Sequence, residues 1–486
     1  MRFAVSPFLT MNFPHVYPRH RRLLPALVLC AALSGHGLCA QTATASAASG
    51  ASANAPVERV SAVATNWSGV VRIDPAHPHH FVRPDGTHLF LFNKTAWHYF
   101  TARDPIITLD RTRDLGANVI RVGLEQNYYF DVLKLDGWPW GGTRADPDFS
   151  TFDDAYWLRV EERLRLAAAQ GVGVNLTLFN GLKLPDNPES FALIKPYLQR
   201  IIRQLAPHAN IFCWEVHNEY VANPRFQQAV GEFMRQHDPH RRPVISSNGT
   251  TDFPLWPDSA WMDMALVHHC TGNQPQYDLR DWYLGIARNL RVHGKPAYNN
   301  ETGREVRHRN DDAVHRRKQL WLAAAAGGYT TWHSWDGCEG IDDANYVAPG
   351  QQFVRPFALW WSQQEFWRVN PDFTAVQVAA NDPLQDTVVP VALASPQREL
   401  ILAYVFTRQG GRRISGGQLQ LRLPDGEYMV ELFHPADAQV LGPPLGHVSP
   451  GLRASAPLRL PDFTDDLALR IKRVGTREQS LIPETR

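Results

Sequence analysis

The chain has 486 residues, of which 44% are hydrophobic and 20% charged, and its formal net charge is +1. This length exceeds what one ordinary hydrophobic core accommodates, so we expect two folded domains with flanking segments. The near balance of charge argues against nucleic acid and anionic membrane surfaces as partners, because both favour a basic excess. Fifteen Trp residues are many for this length, and Trp serves either to fill a core or to form a binding surface.

The N-terminal segment has the pattern of an export signal. A stretch with three arginines precedes an apolar run at residues 23–33, and small residues follow up to Ala40. Because the apolar run is too short to span a bilayer, we predict a cleaved signal peptide over residues 1–40 and no membrane span in the mature chain. Residues 41–66 are rich in Ala, Ser and Thr and are predicted to be a flexible linker.

The cysteines do not form a metal-binding pattern. Cys30 and Cys39 lie in the predicted signal, which leaves Cys213, Cys270 and Cys338, an odd number without the spacing of a metal site. We expect buried free thiols or at most one bridge among these three residues.

Short apolar runs alternate with amphipathic stretches from the hairpin signal Pro84-Asp85-Gly86 to about residue 367. Eight apolar runs are predicted as strands: 88–92, 118–122, 172–178, 211–215, 243–247, 262–268, 296–300 and 329–334. The amphipathic stretches predict helices at 152–170, 190–208, 223–237, 311–326 and 353–367. Strands that alternate with helices form parallel βα units, and eight such strands fit one closed (β/α)₈ barrel. We assign this barrel, with an N-terminal β-hairpin, to residues 67–370, although no clear helix lies between the fifth and sixth runs.

The pattern changes after Pro371, where helical periodicity ends and strand-like runs recur between turn signals. These runs are 386–393, 399–406, 418–423, 428–434, 458–460 and 467–472. They predict a β-sandwich over residues 371–475, followed by a disordered tail over 476–486. The predicted fold class is therefore α/β, a (β/α)₈ TIM barrel followed by a small all-β sandwich.

Catalytic groups of a (β/α)₈ barrel lie where strands end and the following loops begin. The predicted strand ends carry polar and aromatic groups: Asn93 with Trp97, Arg121, Asn180, Asn218 with Glu219, Asn248, His268 with His269, Glu301, and Trp332 with Trp335. Strands four and seven lie on opposite sides of a barrel mouth, so Glu219 and Glu301 can face each other across it. Retaining glycoside hydrolysis needs two such carboxyl groups about 5–5.5 Å apart, one to protonate the leaving oxygen and one to attack the anomeric carbon.

Four motifs together resemble clan A of the retaining glycoside hydrolases, and most nearly the cellulase-type family 5 and related barrel glycosidases with a C-terminal β-sandwich. The motifs are Gly116-Ala-Asn118-Val-Ile-Arg121, Trp214-Glu-Val-His-Asn218-Glu219, Lys295-Pro296 with Glu301-Thr-Gly303, and Tyr329-Thr-Thr-Trp332. The resemblance covers most of residues 80–367. It implies an enzyme that needs no cofactor, with Glu219 as acid/base and Glu301 as nucleophile.

The resemblance also implies roles for three further residues. Arg121 would support the nucleophile, His268 would line the site, and Trp332 would form the floor of the sugar subsite. Two positions depart from the family 5 pattern: Asn180 replaces a His at the end of strand three, and Cys270 replaces a Tyr two residues after His268. Because both positions line the subsite beside the nucleophile, the substrate is not carried over from the cellulases.

The complete predicted substrate-binding set is Asn218, Arg121, His268, Trp332, Trp335, Trp97, Tyr298 and Asn180. Asn218 supplies an amide for the sugar 2-hydroxyl, and the aromatic members are expected to stack on sugar rings. The long second loop, from Tyr128-Tyr129 through Trp138-Pro-Trp140, is expected to add further subsites, whereas Trp360 and Trp367 on the last helix are expected in the core.

Several residues keep two interpretations. Arg121 either orients the nucleophile or makes a structural salt bridge inside the barrel, and Glu125 either contacts sugar hydroxyls or does not. Glu215, inside the fourth strand, is expected to bond structurally. The pair His268-His269 suggests a metal, but the chain has no His-x-His at the first strand and no HExxH motif, so we expect no metal.

The sequence therefore predicts a secreted or periplasmic retaining glycoside hydrolase. It would cleave β-linked saccharides of plant or microbial glycans through a covalent glycosyl–Glu301 intermediate, at chain ends if the Trp-rich loops narrow the site into a pocket. An oligosaccharide or polysaccharide substrate is the partner expected. The alternatives are a carbohydrate-binding protein with an inactive barrel and a transglycosylase. The sandwich either binds polysaccharide or braces the barrel, and its scattered aromatic residues favour bracing.

Overall fold

The computed structural model describes residues 67–126, 136–247, 249, 254–268, 279, 285, 291–302, 312–334, 347–380, 382–452 and 457–475. The predicted signal, linker and C-terminal tail lie outside these ranges, and so do Asn248, His269, Cys270, Trp335 and Cys338. The predictions for these segments and residues stay predictions. Among the described helices, none combines the length and the apolar character that crossing a bilayer requires.

A small antiparallel sheet begins the described chain. Its strands are β1 (Arg72–Ile73), β2 (Phe81–Val82) and β3 (His88–Leu89). The predicted hairpin joins β2 to β3, and Gly86 in its turn has a φ of 84°. The Trp67 ring just before this sheet packs so closely on Gly173 that a Cβ there would lie 2.5 Å from it. The sheet thus covers the amino ends of the barrel strands, opposite the predicted mouth.

Ten strands follow: β4 (Phe92–Thr95), β5 (Val119–Gly123), β6 (Trp140–Gly142), β7 (Pro147–Phe152), β8 (Gly173–Phe179), β9 (Ile211–His217), β10 (Val244–Ile245), β11 (Ala265–Val267), β12 (Ala297–Asn299) and β13 (Gly328–Trp332). Strands β6 and β7 form an antiparallel hairpin in the second connection. The other eight form one parallel sheet in the order β10-β9-β8-β5-β4-β13-β12-β11. Asp263 bridges the two outer strands, because its N–H donates to Val244 O at 2.9 Å and its Oδ2 accepts from Val244 N–H at 2.8 Å. The predicted barrel is confirmed.

The helices are α1 (Pro105–Asp114), α2 (Asp154–Ala169), α3 (Pro188–Gln204), α4 (Pro224–His237), α5 (Asp312–Ala325) and α6 (Val354–Ser362). Side chains of Asp104, Asp153 and Asn187 cap the first three by accepting backbone N–H bonds. Helix α1 was not among the predicted helices, because two of its four buried positions are Thr, which weakens the apolar stripe. In the described part of the connection between β10 and β11 there is no α-helix, as the sequence suggested.

One strand prediction was wrong. The run 88–92 is not a single barrel strand, since His88–Leu89 belongs to the N-terminal sheet and the barrel strand begins at Phe92. Phe90 and Leu91 between them are buried in the core, where the Phe90 ring packs against Phe357. A continuous apolar run gives no sign of where one sheet ends and the next begins.

The C-terminal part contains twelve strands: β14 (Asn370–Pro371), β15 (Val376–Val378), β16 (Val388–Ala394), β17 (Leu400–Thr407), β18 (Arg413–Ile414), β19 (Gln418–Leu421), β20 (Gly426–His434), β21 (Gln439–Val440), β22 (Leu445–Ser449), β23 (Leu458–Arg459), β24 (Phe463–Thr464) and β25 (Asp466–Gly475). A large antiparallel sheet has the order β14-β16-β17-β25-β20-β21, with β22 also paired to β20. A three-stranded sheet, β15-β19-β23, shares a hydrophobic core with it. The predicted all-β sandwich is confirmed.

The central strand β17 of the large sheet is buried on both faces. Along β17, Ile401 and Ala403 point into the sandwich core, whereas Leu402 and Tyr404 belong to the core shared with the barrel. The Tyr404 ring lies 5.6 Å from the Trp321 ring of α5 and nearly parallel to it. An apolar sheet face that packs on barrel helices supports the bracing role expected for the sandwich.

A buried polar cluster lies within this interface. Arg317 of α5 donates two hydrogen bonds to Asp466 of β25, at 2.9 and 2.7 Å. The Tyr404 hydroxyl donates to the same carboxylate at 2.7 Å, and Lys318 Nζ donates to Thr407 O at 3.0 Å. The interface therefore combines a buried ion pair and hydrogen bonds with apolar contacts.

Candidate active site

The two predicted catalytic glutamates lie just beyond the carboxyl ends of barrel strands. Glu219 follows β9 by two residues, and Glu301 follows β12 by two. A carboxylate oxygen of Glu219 lies within 4.8 Å of one of Glu301. The barrel therefore brings together two residues that are 82 positions apart in the sequence.

Glu301 is a buried carboxylate among positive groups; its side chain is 3% exposed. Its Oε2 lies 3.2 Å from Arg121 Nη1 and 2.5 Å from His268 Nε2, and its Oε1 lies 3.6 Å from His333 Nε2. Burial alone would raise the pKa of Glu301, but His268, His333 and Arg121 together hold it well below its usual value. Glu301 is therefore ionised, as a nucleophile must be.

Glu219 is in a different environment; its side chain is 42% exposed. Its backbone φ is 50°, in the left-handed region that residues other than Gly seldom adopt. Its Oε1 lies 3.2 Å from Nε2 of His268, the same nitrogen that contacts Glu301. Burial lowers the pKa of His268, but the two neighbouring carboxylates raise it overall, so a cationic ring is favoured between them.

Glu215, within strand β9, is fully buried and accepts hydrogen bonds from several side chains. Arg121 donates to both of its oxygens, at 2.8 and 2.6 Å. Four uncharged groups also donate to this carboxylate at 2.7–3.1 Å: Asn175 Nδ2, Thr177 Oγ1, Ser247 Oγ and Asn300 Nδ2. The structural role expected for Glu215 is confirmed. Arg121 makes the salt bridge inside the barrel and also contacts Glu301; that it orients a nucleophile stays a prediction.

Asn218 and Asn180 are linked at the ends of neighbouring strands. Asn218 Oδ1 accepts from Arg121 Nη2 at 2.7 Å, and its Nδ2 donates to Asn180 Oδ1 at 3.0 Å. The Arg121 guanidinium carbon lies 4.5 Å from the centroid of the Trp97 ring. Asn180, Asn218, Arg121 and Trp97 of the predicted set thus lie together.

The aromatic members of the predicted set differ from expectation. Trp97 and Trp332 are nearly or wholly buried, and each has an arginine over its ring; Arg316 lies 3.8 Å from the Trp332 centroid. Tyr298 is wholly buried, and its hydroxyl bonds Asn93 inside the barrel. It lies on the strand itself, three residues before Glu301, so its ring points into the barrel interior. Within the described chain these three rings expose no face on which a sugar could stack.

The described part of the second loop also differs from expectation, whereas Tyr128 and Tyr129 lie outside the described residues. Trp138 and Trp140 are buried, with Trp140 against the Tyr197 ring of α3 at 4.6 Å, so they form core instead of the expected sugar subsites. Glu125 is buried as well and accepts the backbone N–H groups of Asn180 and Leu182 at 2.7 and 3.0 Å. These two bonds hold the backbone of the loop after β8.

His333 is a site residue that the sequence analysis missed. It directly follows Trp332 at the end of β13, is fully buried, and contacts Glu301. His333 lies at the end of a predicted strand, so the position of catalytic groups at strand ends could have identified it.

Two groups of described residues have the geometry to hold a metal ion: Glu219, His268 and Glu301, and, away from the mouth, Asp74, His77 and His88. In the first group the Arg121 cation already contacts Glu301. In the second, both His rings bond one Asp74 oxygen, at 2.7 and 2.8 Å. Hydrogen bonds and ion pairs account for both groups.

The fold is similar to that of solved glycoside hydrolases. A family 5 glycoside hydrolase from Bacteroides vulgatus superposes with a TM-score of 0.61 at 14% identity, over 86% of this chain and 95% of that chain. Another structure, described as a glycoside hydrolase, gives a TM-score of 0.60 at 13% identity, over 84% and 98%. No family model matches the sequence, and no curated protein matches it at a significant level. The likeness confirms the fold that the motif resemblance implied, over barrel and sandwich together.

Proposed function

We propose that this protein is a retaining glycoside hydrolase that cleaves β-linked saccharides, with Glu301 as nucleophile and Glu219 as acid/base. The observation that carries the proposal is the pair of carboxylate oxygens within 4.8 Å at the barrel mouth. Retaining enzymes place their two carboxyl groups about 5–5.5 Å apart, whereas inverting enzymes need about 6.5–9.5 Å to admit a water. The separation supports double displacement.

The first step would use the difference between the two environments. Ionised Glu301 attacks the anomeric carbon while the glycosidic bond breaks, and Glu219 gives its proton to the departing oxygen. The product is a glycosyl ester on Glu301. In the second step Glu219, now a carboxylate, takes a proton from water as that water displaces Glu301, so the original protonation states return.

Asn218 is suited to bind the reacting sugar. Its Nδ2 carries two hydrogens, and one of them is used by Asn180. We assign the second to the sugar 2-hydroxyl, where a hydrogen bond strengthens in the transition state. Because Arg121 holds Asn218 Oδ1, the amide orientation is set before substrate binds.

The wider setting of the reaction belongs to the same proposal. The export pattern of residues 1–40 supports action outside the cytoplasm on a plant or microbial oligosaccharide or polysaccharide. Attack at chain ends stays a prediction, because it depends on loops outside the described residues.

The decisive experiment compares Glu301→Ala and Glu219→Ala on aryl β-glycosides, with exposed Glu427→Ala of the sandwich as the matched control. Both site variants should lose at least about 10³-fold in turnover on substrates with poor leaving groups, and the control should match wild type. Azide should rescue Glu301→Ala with inverted product and Glu219→Ala with retained configuration, because each removes a different partner of the displacement.

Three outcomes would contradict this proposal. Wild-type turnover in both site variants would disprove the assignment. A wild-type protein that binds saccharides but cleaves no glycoside would identify an inactive, carbohydrate-binding barrel. Transfer of the sugar to added saccharide in preference to water would identify a transglycosylase, which uses the same two residues.

A further inference from the structure

The peptide group between Asn218 and Glu219 is held by side chains at both of its polar atoms. The Asn218 carbonyl oxygen lies 2.9 Å from His217 Nδ1, and the Glu219 N–H donates to Ser247 Oγ at 3.3 Å. Glu219 is also the residue with a φ of 50°. The chain therefore leaves the regular β9 ladder at this peptide, and two side chains replace the lost ladder bonds.

His217 holds the carbonyl side and is nearly fully buried. Its ring is sandwiched between the rings of Phe179, at 6.1 Å, and Tyr220, at 5.0 Å. Burial lowers the pKa of His217 to about 4, so the ring is neutral at physiological pH and carries one N–H. Its two nitrogens face carbonyl oxygens of Asn218 at 2.9 Å and Leu182 at 3.1 Å. In the Nδ1–H tautomer the ring donates its one N–H to the Asn218 carbonyl oxygen.

Ser247 holds the N–H side with a hydroxyl that is fully used. It donates to Glu215 Oε1 at 2.8 Å and accepts from Arg121 Nη2 at 3.2 Å and from the Glu219 N–H at 3.3 Å. A hydroxyl has one hydrogen and two lone pairs. Its contact with Glu215 Oε1 at 2.8 Å is shorter than the alternative contact with His217 O at 3.3 Å, so the hydrogen is directed at Glu215 and a lone pair accepts from the Glu219 N–H. Ser247 thus links the backbone of Glu219 to the ion pair of Glu215 and Arg121.

We propose that His217 and Ser247 are positioning residues that together set the direction of the Glu219 carboxyl group; we refer to them as the Glu219 clamp. The inference rests on the proposed function. Holding both ends of one peptide group prevents it from rotating, and that rotation would swing the side chain of Glu219 away from Glu301. The clamp therefore serves proton donation to the leaving group. Because Ser247 also bonds Glu215 and Arg121, Ser247→Ala should add a loss that is equal for all leaving groups, on top of the loss that depends on the leaving group.

A merely structural role would lower activity equally for every substrate, whereas the clamp predicts a dependence on the leaving group. Poor leaving groups need the proton from Glu219, but strongly acidic ones depart without it. The readout is kcat/KM over aryl glycosides that share one sugar and range from phenyl to dinitrophenyl leaving groups.

The variants are His217→Phe and Ser247→Ala, each with a conservative partner that retains a donor or hydroxyl, His217→Gln and Ser247→Thr. His217→Phe and Ser247→Ala should each lose about tenfold or more on the phenyl glycoside relative to the dinitrophenyl glycoside, as a partial version of Glu219→Ala. The conservative partners should recover most of this difference. Thr177→Val is the matched control, since Thr177 bonds Glu215 but does not contact the Glu219 peptide, and its loss should be the same for all leaving groups.

Equal losses across the series in His217→Phe and Ser247→Ala would overturn the clamp, and so would wild-type values in both. Melting temperatures identify a variant that does not fold. Because His217 and Ser247 hold different ends of the peptide group, the leaving-group dependence of either folded variant is enough to test the clamp. If neither folds, His217→Gln and Ser247→Thr are measured on the same series of glycosides. Failure of the proposed function is distinguishable, because then wild type hydrolyses no glycoside or Glu219→Ala itself shows no dependence on the leaving group.

Discussion

Two buried arginines in this protein have opposite arrangements of partners. At the interface between barrel and sandwich, Arg317 faces one carboxylate, Asp466, and bonds both of its oxygens. At the barrel mouth, Arg121 is shared between two carboxylates, Glu215 and Glu301. The first pair is balanced in charge. The second leaves a carboxylate in excess, which His268 then contacts.

The difference shows how the same residue types serve architecture and chemistry. The ion pair of Arg317 and Asp466 is balanced in charge and aligns the barrel with the sandwich, so its charges serve the interface alone. A shared arginine cannot fully neutralise two carboxylates, so Glu301 stays negative in a buried site and open to an electrophile. The excess charge is stabilised by histidines at distances of 2.5 and 3.6 Å.

The strongest test of the comparison is to break the ion pair of Arg317 and Asp466. Arg317→Met should lower the free energy of unfolding by about 3–5 kcal/mol, because it leaves Asp466 charged and buried without its partner. Urea denaturation measures this loss. Replacing both partners, with Arg317→Met and Asp466→Leu, should recover part of it. The kcat/KM of the folded protein should stay within about twofold of wild type, and a large selective loss of activity would contradict a purely architectural role.

The shared arginine should show the reverse behaviour. Arg121→Lys replaces a planar fork by a single ammonium, which cannot bond Glu215 twice and also contact Glu301 and Asn218. We expect kcat/KM to fall about 10²–10³-fold, in the range for loss of one preorganised electrostatic contact. Steady-state kinetics on a dinitrophenyl glycoside, whose cleavage depends on Glu301, provide the measurement. A fall of less than about tenfold would show that sharing the arginine is not functional.

The smallest expected effect concerns pH. His268 helps to hold the pKa of Glu301 below its usual value, so His268→Gln should raise that pKa. The nucleophile then becomes protonated at a higher pH as the solution is acidified, and the acidic limb of the kcat/KM profile should move to higher pH. The wild-type profile is the control. An unchanged or downward-shifted acidic limb would show that His268 does not set the ionisation of Glu301.

Periodicity and turn chemistry were enough to predict most of the fold. Seven of the eight barrel strands lie within or close to the predicted runs, because parallel strands are continuous apolar segments between amphipathic helices. The exception is the run 88–92, whose first residues belong to the N-terminal sheet and whose last residue begins a barrel strand. The strand-end rule found Arg121, Glu219, His268 and Glu301 for the same geometric reason.

The site was predicted less completely than the fold. Tyr298 and Trp332 were assigned to sugar stacking from residue type and nearness to strand ends, yet the exposure of a ring depends on what the other strands place against it. Arg316 lies over Trp332, and Asn93 bonds Tyr298. His333 was missed because several polar and aromatic side chains follow each strand, and the sequence does not show which of them reaches Glu301.

The sequence by itself therefore determined the barrel, the sandwich and the position of the two glutamates at strand ends, since local periodicity and position at strand ends are properties of the chain. Only the tertiary structure decided that Arg121 serves two carboxylates, that Glu215 collects six hydrogen bonds, and that the central strand β17 of the large sheet is buried on both faces. The reason is physical. Charge sharing and burial depend on distances between strands that are far apart in sequence, and closure of the barrel sets those distances.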